Sequence, residues 1–209
     1  MEEVYREGIS ATSPIDIEYA RRMGYVIKLL AIATQDKGQI EARVHPALLP
    51  MGHPLASVDG VFNAVFVQGD ACDDVMLYGR GAGALPTGSA VAGDVIDCAR
   101  NILKGAQARV PCTCVGQANI RPMDEVVSKN YVRMRVRDKP GVLGSIATIL
   151  GQEGVSIESV IQEANVGDDL AEIVWVMHPG PQKHLRTALE AIQHLGIVDS
   201  IPNVIRVVE

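Results

Sequence analysis

Between Tyr131 and Val208 the hydrophobic period switches from two to about 3.6 and back again, in a fixed order that few folds can satisfy. "YVRMRVRD" (131–138) alternates strictly, with Val132, Met134 and Val136 opposed to Arg133, Arg135 and Arg137. That predicts a strand with one apolar face and one wet, basic face. Val142, Leu143, Ile146, Ile149 and Leu150 then follow helical spacing, and Gly154 closes the helix. "VSIESVIQ" (155–162) and "LAEIVWVMH" (170–178) predict two strands joined by a turn at "NVGDD" (165–169). Pro181 starts a second helix, with Leu185, Ala188, Leu189, Ile192 and Leu195 on its inner stripe, and "NVIRVV" (203–208) is a last strand. The order is βαββαβ, the ferredoxin-like plan.

The preceding residues predict strands that feed one long helix. "YVIKLLAIA" (25–33) is a nearly continuous apolar run, as expected of a buried strand. A glycine turn and a second strand with Ile40, Ala42 and Val44 alternating follow it, then strands in "GVFNAVFVQGD" (60–70) and "DVMLYGRG" (74–81). From Pro86 to Leu103 the spacing is helical, with Ala90, Val91, Val95, Ala99 and Ile102 on one stripe. Residues 104–130 carry little period and predict a connector, in which "NIRPMDEVVSKNY" has room for a short strand or helical turn. The expected division is therefore 1–125 and 126–209, and the class is α+β.

A chain of 209 residues accommodates one sizeable domain or two small ones. Apolar residues at 47% and charged residues at 21% describe a well-cored protein, and a net charge of −6 argues against a nucleic-acid surface. No apolar run is long enough for a membrane span, and "MEEVYREG" lacks the form of a secretory signal. Cys72, Cys98, Cys112 and Cys114 do not form a disulfide framework, so a reducing cytoplasm is the expected setting.

For metals, Cys112-Thr113-Cys114 is too tightly spaced for a zinc knuckle. His45, His53, His178 and His184 read as surface or loop residues, so no metal site is expected. No nucleophile elbow or Ser/His/Asp order stands out either. Gly79, Gly81, Gly83 and Ala84 form a loose cluster between a strand and a helix. It suits either tight packing or the approach of a phosphate to the helix N-terminus. The Asp138-Lys139-Pro140-Gly141 junction also has two readings. Pro140 suits a first helical turn, and bare N–H groups of Gly141, Val142 and Leu143 would hold a carboxylate; an ordinary helix start explains the same residues.

The βαββαβ order together with "RDKPGVLGSIATILGQEGVSIESVIQ" resembles the ACT domain, a small module that binds amino acids, over roughly residues 130–209. The resemblance implies an effector site at Asp138, Pro140, Gly141, Val142 and Leu143, completed by the following strand near Ser156 and Ile157 of a paired chain, with threonine as the expected ligand. Residues 4–103, through "EGI" (7–9), "YVIKLLAIA", "VHPALLPMGHPLASVDGVFNAVFV" and "DVMLYGRGAGALPTGSAVAGDVID", resemble homoserine dehydrogenase. Gly88, where that family usually has alanine, and Cys72-Asp73, in place of a more Gly-rich turn, are small departures.

The combined resemblance implies the C-terminal portion of an NAD(P)-dependent enzyme that interconverts L-homoserine and L-aspartate 4-semialdehyde in threonine, methionine and isoleucine biosynthesis. The fold it implies is a partial catalytic domain, an open sheet with helices formed by the strands of residues 25–79, followed by the ferredoxin-like ACT domain. Gly81 and Gly83, with Thr87, would border the NAD(P) site. The family's nucleotide domain, acidic substrate ligands and proton-carrying lysine come before "EGI", and Lys28 does not match the lysine. No catalytic residue, no bound cofactor and no activity are therefore expected of this chain by itself. Pairing through sheet and ACT surfaces implies a dimer or tetramer, without nucleic-acid or membrane partners. The alternative is a stand-alone amino-acid-binding regulator without catalysis, for which the "HPLASV…YGRGAGALPTGSAV" segment would have no use.

Overall fold

The computed structural model describes residues 4–36, 38–106, 119–164 and 169–208. Its largest feature is an eight-stranded mixed sheet. The βαββαβ order is present as β7 (Val127–Arg137), α3 (Val142–Gln152), β8 (Ile157–Ala164), β9 (Leu170–Pro181), α4 (Gln182–Gln193) and β10 (Val198–Val207). The four strands lie in the order β10-β7-β9-β8, all antiparallel. Val132, Met134 and Val136 pack with Val142, Ile146 and Leu150 of α3, Leu185, Ala188 and Ile192 of α4, and Trp175 of β9. The period-two and helical stripes read from the sequence thus meet in one core.

The sheet does not stop at that module. β1 (Tyr5–Arg6), β2 (Tyr25–Asp36), β3 (Gln39–Pro50) and β6 (Asn119–Ile120) belong to it as well. The joint is parallel pairing of β10 with β3, Arg206 against Ala47 and Val207 against Leu48. Helix α1 (Pro14–Arg22), not expected from the sequence, contributes Tyr19 and Ala20 to a second core with Leu48, Tyr131, Val174, Ile205 and Val207. The module's sheet is therefore covered on both faces, by α3 and α4 on one and by α1 on the other.

This arrangement changes three expectations. The arginine face of β7 is not wet along its length: Arg133 is buried beneath α1, and only Arg137 is exposed. Strand β2 is not buried; it pairs with β3, and Leu29 is 55% exposed. The strands of residues 25–79 do not make one sheet: β4 (Phe62–Gly69) and β5 (Asp73–Arg80) form a separate hairpin.

The chain divides into two compact units, Met1–Met51 with Ala118–Glu209 and Gly52–Gln117. These units do not follow the 125/126 division, because β1 to β3 and α1 pack with the βαββαβ segment. The smaller unit holds the hairpin, a short 3-10 helix (Pro54–Ser57) and α2 (Ala84–Leu103), whose apolar stripe is exposed, including Val91, Val95 and Ile102. The connector's "NIRPMDEVV" end holds both a short strand, β6, and a 3-10 turn at Met123–Glu125. Among the described residues no helix is long and apolar enough to cross a membrane.

Candidate functional site

The junction after β7 is a tight turn. Gly141 adopts φ 89° and ψ −13°, the third-position geometry of a type II turn, and Val142 N–H reaches the Lys139 carbonyl at 3.4 Å. Only glycine occupies that conformation without strain. The helix begins at Val142, so Pro140 lies in the turn before it and not in the first helical turn. Asp138 N–H donates to the Asp169 carbonyl at 2.9 Å, which ties the loop to the start of β9, and Ser145 caps Gly141 O through both its N–H (2.9 Å) and its hydroxyl (3.0 Å).

Asp138, Pro140, Gly141 and Leu143 are exposed, whereas Val142 is buried in the core under α3. Among the described residues the N–H groups of Gly141 and Leu143 have no backbone partner. A Cβ added at Gly141 would meet nothing within 4 Å. The turn therefore presents an open backbone at the positive end of α3.

Ser156 is exposed and its carbonyl already accepts from His178 N–H at 2.9 Å, which leaves one lone pair for another donor. Ile157 is half-buried opposite Met177. Among the described residues no hydrogen bond joins Ser156 or Ile157 to the 138–143 turn.

The glycine cluster lies in the smaller unit. A Cβ on Gly81 would stand 2.1 Å from Asn63 Nδ2, and one on Gly83 would stand 3.3 Å from Pro86 Cδ. Gly83 has φ 127° and caps α2, where Thr87 N–H bonds its carbonyl at 3.1 Å. Gly81, Gly83 and Thr87 are all exposed. A side chain at Gly81 would thus displace Asn63, and one at Gly83 would meet both Pro86 and a positive φ.

The most elaborate side-chain arrangement was not legible as a site. Asp16, fully buried in α1, accepts hydrogen bonds from Ser13 N–H (2.9 Å), Ser13 hydroxyl (2.7 Å), Tyr131 hydroxyl (3.0 Å), Arg133 Nε (2.7 Å) and Asn203 Nδ2 (3.0 Å). Arg133 also reaches Glu172 at 3.2 Å. Burial alone would raise the Asp16 carboxyl, but hydrogen bonds from Arg133, Asn203 and Ser13 outweigh it and hold the pKa down to about 2. Desolvation first, then Asp16, raises the Tyr131 hydroxyl. The detectable signal was Ser13-Pro14-Ile15-Asp16, a helix-start pattern with an acidic third residue.

His45 corrects the reading of the histidines as surface or loop residues. It lies in β3 with 0% exposure, its Nδ1 2.8 Å from the Pro46 carbonyl, and burial lowers its pKa to about 4. His53 is half-buried and accepts from Leu55 N–H at 3.1 Å; His178 and His184 are exposed. Cys112 and Cys114 lie outside the described residues, and among those described no group of His, Cys, Asp and Glu could hold a metal ion.

Comparison with known proteins covers both segments of the chain. A family model described as homoserine dehydrogenase matches residues 1–96, and an ACT domain model matches residues 130–196. The chain is 44% identical to homoserine dehydrogenase of Neisseria gonorrhoeae over 97% of its length and 48% of the relative. It is likewise 44% identical to that of Synechocystis over 99% of its length and 49% of the relative. The crystal structure of a homoserine dehydrogenase from Thiobacillus denitrificans matches all of the chain with a TM-score of 0.90 at 37% identity, using 48% of that structure.

These matches define a chain in which a homoserine dehydrogenase segment is followed by an ACT domain. The chain corresponds to the C-terminal portion of the homoserine dehydrogenases it matches. The chain spans about half the length of the curated relatives it matches.

Proposed function

We propose that this chain is the sheet-forming and regulatory portion of an NAD(P)-dependent homoserine dehydrogenase, acting in the cytoplasm on the L-homoserine and L-aspartate 4-semialdehyde pair. The observation that carries the regulatory half is the open backbone of the turn at Gly141 within a complete βαββαβ module. In this reading Gly141 and Leu143 N–H groups, with weaker help from Val142, hold the carboxylate of an amino acid. Pro140 and Asp138 shape the turn, and carbonyls near Ser156 and Ile157 of a second chain accept from its ammonium. Threonine, the product of the branch that homoserine feeds, is the proposed ligand. The helix N-terminus contributes roughly 0.3–1 kcal/mol, so several hydrogen bonds must supply the remainder.

Gly81, Gly83 and Thr87 would border the NAD(P) site, contributing backbone at the start of α2 and no proton transfer. When bound, the nicotinamide supplies or accepts the hydride. No residue of this chain is assigned as acid, base or substrate ligand. The stand-alone regulator is the weaker reading, since the homoserine dehydrogenase match extends over residues 1–96.

Titration of the chain with threonine in a calorimeter, beside methionine, lysine and isoleucine, tests the effector site; heat with none of them removes it. An NADPH oxidation assay with aspartate semialdehyde should give no turnover with this chain and turnover once the upstream portion found in its relatives is joined to it. Turnover by this chain without that portion would overturn the assignment.

A further inference from the structure

Helix α1 belongs to the family-matched catalytic segment, yet it is held by all four strands of the ACT module. Tyr131 and Arg133 reach Asp16 from β7, and Asn203 reaches it from β10. From β9, Glu172 engages the same arginine. From β8, Glu163 accepts from Tyr19 hydroxyl at 3.0 Å and pairs with Arg22 at 2.5 Å. A second tie runs from Arg206 of β10 to Glu7 at 2.8 Å and to Tyr5 hydroxyl at 3.0 Å.

Strand β7 has a different neighbour on each face. Arg133 and Tyr131 face α1, while Val132, Met134 and Val136 pack beneath Val142 and Ile146. The strand then runs through Arg137 into the turn at Gly141. A direct route from that turn to α1 runs through β7, and a close-packed core transmits displacement instead of absorbing it. Helix α1 in turn leads through Gly24 into β2 and follows the Glu7-Gly8-Ile9 segment.

We propose that Asp16 is a positioning residue: its buried hydrogen-bonded contact with Arg133, Tyr131 and Asn203 is the joint that couples the turn at Gly141 to the catalytic segment of residues 5–36. An asparagine there would keep the size but put an amide NH2 against the donors of Ser13, Asn203 and Arg133. Arg133 would retain Glu172, so the variant creates no lone buried cation. The coupling itself needs no ligand; only its use by an amino acid rests on the effector reading above.

Hydrogen exchange read by mass spectrometry on the wild-type chain, on Asp16→Asn and on the milder Tyr131→Phe tests the joint. Exchange about tenfold faster in α1 and also across the sheet in residues 138–145 is expected for Asp16→Asn, with a smaller change of the same pattern for Tyr131→Phe. Acceleration confined to α1 and β7, or none, overturns the proposal. Threonine calorimetry run alongside separates the two ideas. Heat accompanied by altered exchange in residues 14–36 supports the joint, and heat with unchanged exchange there overturns it. Absence of heat counts against the effector reading alone, and the comparison without ligand then decides the joint.

Discussion

Arg133 Nε lies 2.7 Å from Asp16 Oδ1, although 117 positions of sequence separate the two residues. Neither side chain is more than 6% exposed. The pair joins a helix of the homoserine dehydrogenase segment to the first strand of the ACT domain, where a charge would otherwise meet apolar surroundings.

Acid stability should report on this pair. The Asp16 carboxyl is lowered from 3.8 to about 2, so its contribution is complete above the unfolded value and is lost as pH falls through the folded one. Asp16→Asn should cost about 2–4 kcal/mol at neutral pH and flatten the loss of stability between pH 4 and 2. Denaturant unfolding followed across that range checks both, and an unchanged profile would contradict the role given to the carboxylate.

A second pH effect is expected at His45. Burial lowers its pKa from 6.5 to about 4, against the raising effect of the Pro46 carbonyl, with Arg206 and Arg43 adding to the depression. The unfolded chain therefore binds a proton that the folded chain refuses. Stability contributed above 6.5 is lost as pH falls toward 4, by up to about 3 kcal/mol. Replacing His45 by Gln should remove the slope in that window, seen as a melting temperature that no longer falls between pH 6.5 and 4.

The faces of β7 show what was readable in the chain and what was not. Its alternation placed Val132, Met134 and Val136 correctly against α3 and α4, because local period and a common core agree. The same alternation gave no information on what covers the arginines. Their cover, α1, buries Asp16, Tyr19 and Ala20, and the polar first member of that spacing hides the stripe. Strand β2 failed for a related reason. Its apolar run does signal a surface that avoids water, but leaves open whether the same chain supplies the cover. At the turn, Pro140 and Gly141 announced a junction, yet the left-handed φ of Gly141 distinguishes a type II turn from a helix start only in three dimensions.

Gly141 needs two substitutions to be read properly. Its φ of 89° penalises any side chain, by about 1 kcal/mol for alanine, although the space beyond is open. Gly141→Ala should lower stability by that amount and keep threonine binding. Gly141→Asp should abolish binding through charge while the far-ultraviolet circular dichroism stays unchanged. Equal heat from Gly141→Asp and wild type would leave the turn as a structural link between β7 and α3 only.

Gly81 offers the corresponding test in the smaller unit. Its added Cβ would fall on the Asn63 side chain, so Gly81→Ala should lower the melting temperature, and Asn63→Ala should restore it. If NADPH binding by the enzyme joined to its upstream portion is also restored in the double variant, the glycine serves packing. Binding that stays lost assigns it to the cofactor.

Self-association is the expected consequence of the uncovered surfaces. Leu77 on the hairpin is 65% exposed and Leu85 on α2 is 87% exposed, and a two-stranded hairpin alone is marginal in water. Light scattering at micromolar concentration should give at least a dimer; a monomeric mass would count against pairing through these faces.

Strand β10 lies between β3 and β7, and its Arg206 side chain reaches Tyr5 across 201 positions. It is synthesised after every other strand of the sheet. Until it emerges, the strands of the first fifty residues and the nascent ACT module have no edge in common, and each presents unpaired backbone to the cell. Closure of so long a loop carries an entropic cost that rises only slowly with length, but the wait for the last strand is set by translation. The facing edges of β3 and β7 are thus a liability until residues 198–207 pair with both. The two segments share one sheet only when that strand is in place between them.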